Sequence, residues 1–191
     1  MRPLDEPDVI AAGAAFVARL GKMQSELSSR KDGQAGHETV FVGQMHAGEI
    51  YNQYPQECLV EGTRRWLPGV DRKAVEAEFR AVLAEIPVPS SCEFRFIRDP
   101  FRLDPADALV SIFQQARRAM GDAPLPLAAK PFVDDGNSFF GLGPIPAITH
   151  GPRSGGQHTT SEWADLDDMA RVAVLYAATA AAYCEEAPWR G

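Results

Sequence analysis

The sequence predicts a mixed α/β protein in two parts. Residues 1–100 read as an α+β, ferredoxin-like unit that lacks its first strand, and residues 101–191 as a portion of an α/β domain. Three observations carry this. Hydrophobic periodicity in the first hundred residues runs helix, strand, strand, helix, strand, the split βαβ order minus one strand. Arg98-Asp99-Pro100 then breaks the pattern, and Asp104-Pro105-Ala106-Asp107 opens a new helical one. Last, the apolar run Ile145 to Thr149 reads as a buried strand that leads into a Gly-rich loop and an Ala-rich helix, and ligands of open α/β sheets sit at such a strand's carboxyl end.

In chain order, Asp5-Glu6-Pro7-Asp8 places acids and a proline where a helix begins. Val9, Ile10, Phe16, Val17, Leu20, Met23 and Leu27 follow near helical spacing, giving a helix over about 7–29. Residues 28–38, polar and carrying Gly33 and Gly36, read as loop. Thr39 to Met45 has the β-branched and aromatic bias of a strand, residues 48–54 turn, and Glu57 to Trp66 returns as a second strand. Regular alternation on that strand sends Arg64 and Arg65 to opposite faces. Pro68-Gly69-Val70-Asp71 breaks it, with Asp71 as N-cap of a helix over 72–85 striped by Val75, Phe79, Val82 and Leu83. Cys92 to Ile97 alternates as a strand. In the second part, helices are expected over about 106–120 and 165–183, with a tight turn at Asp134-Asp135-Gly136-Asn137 and a short helix at Phe139 to Leu142 between them. A unit without its first strand exposes a strand edge, which leads to the expectation of a truncated N-terminus.

Composition excludes several classes. A net charge of −7 with no run of Lys or Arg argues against nucleic acid or an anionic membrane surface as partner. The three cysteines, Cys58, Cys92 and Cys184, lack any CxxC spacing, so neither a disulfide framework nor a thiolate zinc site is expected. No apolar run approaches a membrane span and the N-terminus is unlike a signal peptide, which gives the expectation of a cytoplasmic protein.

Four local patterns, taken together, resemble the downstream half of the zinc aminoacylase and carboxypeptidase family that holds acetylornithine deacetylase, succinyl-diaminopimelate desuccinylase and carboxypeptidase G. Gly43-x-x-x-x-Gly48-x-x-x-Asn52-x-x-Pro55 is similar to the strand–turn–strand signature of that family's lid. Arg65 stands where those enzymes carry an arginine on the returning strand. Asp135 precedes the Gly-rich loop at the spacing of the family's Asp-containing turn. Gly151-Pro152 with His158-Thr159-x-x-Glu162 resembles the segment ending in the C-terminal metal ligand.

The resemblance implies a lid and dimerisation domain over 1–100 and the C-terminal part of a metallohydrolase catalytic domain over 101–191. It implies two zinc ions, replaceable by cobalt, that activate water against the amide of an N-acyl amino acid or small peptide. His158 would be a metal ligand, and Arg65, Asn52 and Asp135 would bind substrate, Asp134 being able to take the place of Asp135. A homodimer through the lid is implied as well. No catalytic residue is expected in this chain, because the family's His-x-Asp, bridging Asp, Glu-Glu pair and further carboxylate lie upstream of the lid. One ligand does not hold zinc, so the chain alone is expected to be inactive. The rival reading is a non-catalytic ferredoxin-like dimerisation module or a degenerate remnant. A phosphate-binding loop at Gly151 to Gly156 lacks the Lys-Ser/Thr ending of a P-loop. His46 and His150, without matching donors, read as surface or hydrogen-bonded histidines.

Overall fold

The structure is a computed structural model, and its description covers residues 7–130, 132–157 and 159–186. The fold is mixed α/β with three small two-stranded sheets among the described residues. Two compact units partition the chain, Met1–Pro100 with Ala129–Phe132, and Phe101–Ala128 with Val133–Gly191.

The first unit is a long β-hairpin under two helices. Helix α1 (Val9–Leu27) starts where the Asp8 carboxylate accepts the Ala11 N–H at 2.9 Å. Its buried face is Gly13, Phe16, Leu20, Met23 and Leu27, spaced three and four apart as one stripe requires. Ile10, expected on that stripe, stays 47% exposed. A tight ribbon, β1 (Lys31–Asp32) with β2 (Gly36–His37), replaces the expected loop. It is shaped by the Asp32 carboxylate, which accepts both the Gln34 and Ala35 N–H groups.

Strands β3 (Thr39–Ala47) and β4 (Cys58–Arg65) pair antiparallel, with a bulge at Gly43 between the Val42 and Gln44 registers. The pairs Val40–Arg64, Val42–Gly62 and Met45–Val60 face the helices, while Thr39–Arg65, Phe41–Thr63 and His46–Leu59 lie on the opposite face. Helix α2 (Arg72–Ala84) is capped by Asp71 as the sequence predicts. The core gathers Phe16, Leu20, Met23, Leu27, Val40 and Val82, flanked by Val42, Val60, Phe79, Leu83 and Ile86.

The expected strand at Cys92 to Ile97 does not form; these residues join no ladder. In a split βαβ sheet the last strand lies beside the first, and the element order among the described residues contains no first strand. Side chains hold the segment on α2 instead. Phe94 meets Phe79 edge-on at 5.5 Å, Arg80 lies over Phe94 at 4.9 Å, and Arg72 lies over Phe96 at 4.7 Å.

The second unit is built on α3 (Ala108–Ala119) against α5 (Leu166–Glu186), burying Val110, Ile112 and Phe113 on one and Val172, Leu175 and Thr179 on the other. Two expectations are corrected here. The turn predicted at 134–137 is the start of helix α4 (Asp135–Leu142), and Asp134 with Asn137 forms a capping box. The run Ile145 to Thr149 is not a strand, since a parallel strand needs neighbours and none pairs with it among the described residues. Only Ala147 is buried there, with Ile145 53% exposed. The Gly-rich stretch folds into a small ribbon, β5 (Ser154–Gly155) against β6 (Trp163–Ala164). No described helix is long and apolar enough to cross a membrane.

Candidate functional site

Arg65 closes β4 opposite Thr39, on the sheet face the helices leave open. It lines a shallow, open groove with Gln24, Thr39, Val40, Phe41 and Thr63 that wraps round the strand end, since Val40 faces the helices and Gln24 comes from α1. Gln24 reaches this end of the hairpin from α1, its Oε1 accepting the Val40 N–H at 2.7 Å. Phe41 is 65% exposed. The groove thus offers a guanidinium, two hydroxyls and an amide around one uncovered aromatic ring. None of Gln24, Thr39, Phe41 or Thr63 stands out in the sequence alone. The readable signal is parity: with Thr39 opposite Arg65, the residues two along each strand share that face.

Arg64 has the other fate. Its side chain is 8% exposed and bonds the buried Glu38 carboxylate, whose side chain is 2% exposed. The same guanidinium lies 3.4 Å from Glu78, and Arg30 joins both acids at 3.6 Å from Glu38 and 2.7 Å from Glu78. Hydrogen bonding to Glu78 holds the Arg30 guanidinium above its ordinary pKa. This cluster fastens the start of β3 and the end of β4 to α2, which gives Arg64 a structural task.

Asn52 sits exposed in the 48–57 connection at the far end of the hairpin. Two residues on, the Tyr54 hydroxyl donates to the Pro7 carbonyl, tying the connection to the start of α1. Seven steps separate Cys58 from Arg65, about 23 Å at the ~3.3 Å rise of a strand. One protomer therefore does not bring Asn52 and Arg65 onto one amino-acid-sized ligand.

In the second unit Asp135 is exposed in the first turn of α4. Asp134 is occupied as N-cap: its carboxylate accepts the Gly136 N–H at 2.9 Å and the Thr149 hydroxyl at 2.6 Å. That leaves Asp135, of the two, with a carboxylate turned to solvent. His158 lies outside the described residues. The ribbon around it is well anchored. The Arg153 N–H donates to Asp168 at 2.6 Å, the Arg153 guanidinium to Asp165 at 2.7 Å, and the Asp165 N–H to the Arg153 carbonyl at 2.9 Å.

Gly156 has φ +68°, and a Cβ there would stand 2.5 Å from the Ser161 carbonyl oxygen. Gly156→Ala is accordingly expected to destabilise the ribbon by about 1–3 kcal/mol, read as faster amide exchange over residues 154–164 with α3 and α5 unchanged. Unaltered exchange would mean that the turn tolerates a side chain.

His150 packs its ring on Phe113 at 5.0 Å and near Tyr176 at 6.2 Å, whose hydroxyl donates to the His150 carbonyl. Burial raises the Tyr176 phenol above its usual value, keeping it the donor. The cysteines are free. Among the described residues no three His, Cys, Asp or Glu side chains converge so as to hold a metal ion. The described side chains therefore do not fit a metal centre by themselves.

A family profile, "Peptidase family M20/M25/M40", matches residues 9–182, and the chain belongs to that family. Among solved structures it is similar to the aminopeptidase PepT of Bacillus cereus, at 20% identity and TM-score 0.66 over 89% of this chain and 44% of that one. The YXEP protein of Bacillus subtilis, described as a dinuclear metal-binding peptidase of the M20 family, matches at 20% identity and TM-score 0.61, over 93% of this chain and 47% of that one. A tripeptidase from Staphylococcus aureus matches at 18% identity and TM-score 0.61, covering 85% and 44%. At these identities the likeness shows the fold. The chain spans less than half the length of these solved relatives.

Proposed function

We propose that this chain supplies the lid, residues 1–100, and the C-terminal part of the catalytic domain, residues 101–191, of a metal-dependent hydrolase that cleaves the amide of N-acyl amino acids or dipeptide-like substrates. The deacylase and carboxypeptidase group of acetylornithine deacetylase, succinyl-diaminopimelate desuccinylase and carboxypeptidase G is the branch whose motifs it resembles. The observation that carries the reading is Arg65, held on the open sheet face in a groove with Thr39, Thr63 and Gln24. A guanidinium fork matches a carboxylate in two parallel bonds, and the substrates of this class end in one.

In the same proposal, His158 serves as one ligand to zinc or cobalt, Asp135 faces the substrate, and the remaining ligands and the general base correspond to motifs that lie upstream of the lid in the family this chain resembles. Asn52 acts from a second copy in a homodimer formed through the lid, a reading supported by its separation from Arg65 along the hairpin. The setting is cytoplasmic, and the charge of −7 fits a small-molecule substrate with neither nucleic acid nor membrane as partner.

The chain by itself is expected to be inactive, because His158 is the one metal ligand its motifs supply and one ligand does not hold zinc. Purified protein assayed with zinc or cobalt against N-acetyl amino acids should show no turnover above buffer. Turnover that follows the protein through purification and vanishes with chelator would overturn the division of the catalytic machinery.

A further inference from the structure

The groove at Arg65 holds a second recognition element. Phe41 and Arg65 are diagonal neighbours on the open face, since Phe41 pairs with Thr63 and Arg65 with Thr39. Diagonal positions on facing strands stand about 7–8 Å apart, within reach of long and aromatic side chains. An amino acid's α-carboxylate and side chain branch from one Cα, so a single residue bridges that span.

Phe41 is poorly explained as a structural residue. It lies on the face away from the hydrophobic core, is 65% exposed, and keeps a ring edge 3.6 Å from where a Cβ on the bulge residue Gly43 would stand. The groove's lining combines one cation, Arg65, three neutral polar side chains, Gln24, Thr39 and Thr63, and two apolar ones, Val40 and Phe41.

We propose that Phe41 is a specificity-determining residue: it receives the side chain of the amino acid whose carboxylate sits at Arg65, and selects a large apolar or aromatic one. This rests on the reading of Arg65 given above and adds the substrate class. A glycine-type acyl amino acid fills the cation's side of the groove only, whereas a phenylalanine-type one also covers the ring. Covering one face of a benzyl group against Phe41 removes apolar area worth about a five- to tenfold gain in affinity. Acidic or basic side chains gain nothing from the ring.

The test uses the chain as it stands, followed by NMR during titration with N-acetyl-L-phenylalanine, N-acetylglycine and N-acetyl-L-phenylalaninamide. The expected result is tighter binding of the phenylalanine acid than of the glycine acid, by about five- to tenfold, with the signals of Phe41 and Arg65 moving together. Phe41→Ala should bring the two acids level while leaving N-acetylglycine unchanged, and Phe41→Leu should retain much of the preference. Because Phe41 lies outside the core, both variants are expected to keep the wild-type unfolding midpoint. Equal affinity for the two acids in the wild type, or a preference that survives Phe41→Ala, overturns the inference. The amide separates this from the broader reading. If it binds as well as the acid, and Arg65→Lys changes nothing, the carboxylate role of Arg65 fails. If carboxylate dependence holds and the ratio is flat, only the role of Phe41 fails. Absence of saturable shifts with either acid removes both.

Discussion

Arg64→Ala and Glu38→Ala are each expected to destabilise the first unit by about 1.5–3 kcal/mol, because each removes a buried charge-assisted bond and leaves the survivor with only its longer ionic contact to Arg30 or Glu78. The Glu38 side chain is 2% exposed and that of Arg64 8%, and their ion pair is extended by Glu78 at 3.4 Å and Arg30 at 3.6 Å. Removing both members at once, with Arg64→Met and Glu38→Leu, should recover much of the loss, since an apolar pair of similar volume leaves no orphaned charge. Arg65→Ala, one residue along on the open face, should move the denaturation midpoint by less than about 0.5 kcal/mol. Equal losses at 64 and 65 in urea unfolding would contradict the assignment of the two arginines to opposite faces. Alternation sends Arg64 and Arg65 to opposite faces, but Arg64 is bound into the buried cluster, so a variant at 64 is expected to report on stability and not on binding.

Arg65→Lys, made at the matching position of a complete relative, is expected to lower kcat/KM by about ten- to a hundredfold. The charge survives and the two-pronged geometry does not, so about 1–3 kcal/mol of charged hydrogen bonding is at stake. Metal content should remain as it was. A substrate analogue without the carboxylate should be poor at the outset and lose little more on substitution. If that analogue lost as much rate as the acid, Arg65 would have no part in carboxylate recognition.

Much of the fold was legible because local signals and tertiary packing agree. Asp71 and Asp107 cap helices where acids precede apolar stripes, and Phe16, Leu20, Met23 and Leu27 bury the face their spacing defines. The hairpin pairing of Thr39–Ala47 with Cys58–Arg65 follows from two β-rich runs around a Gly and Pro turn. The failures have one cause. Residues 92–97 and 145–149 carry strand patterns, but a strand is completed by its neighbours, and no partner strand for either occurs among the described residues.

Smaller misses are local. Asp134 and Asn137 suit a turn and a capping box equally, and the helical run of Phe139, Phe140 and Leu142 decides between them. Glu38 reads as the end of a polar loop until its parity with Val40 and Val42 sends it to the helix-covered face. Of the candidate site, Arg65 was readable as a strand-end charge, while its groove emerged only from the register. Asn52 and Arg65 are close to one another in the motif and far apart on the hairpin, which spacing alone does not reveal.

The most direct test of the central claim is metal content at the position of His158. In a complete relative whose metal is counted by elemental analysis, the matching His→Ala change should remove one of the bound ions or weaken it strongly, because a metal site losing one of about four ligands loses most of its affinity. Its lid should remain folded and its second ion should be retained. Full occupancy of every metal position after that substitution would show that His158 is no ligand and would contradict the assignment of residues 101–191 to a metal-binding catalytic domain.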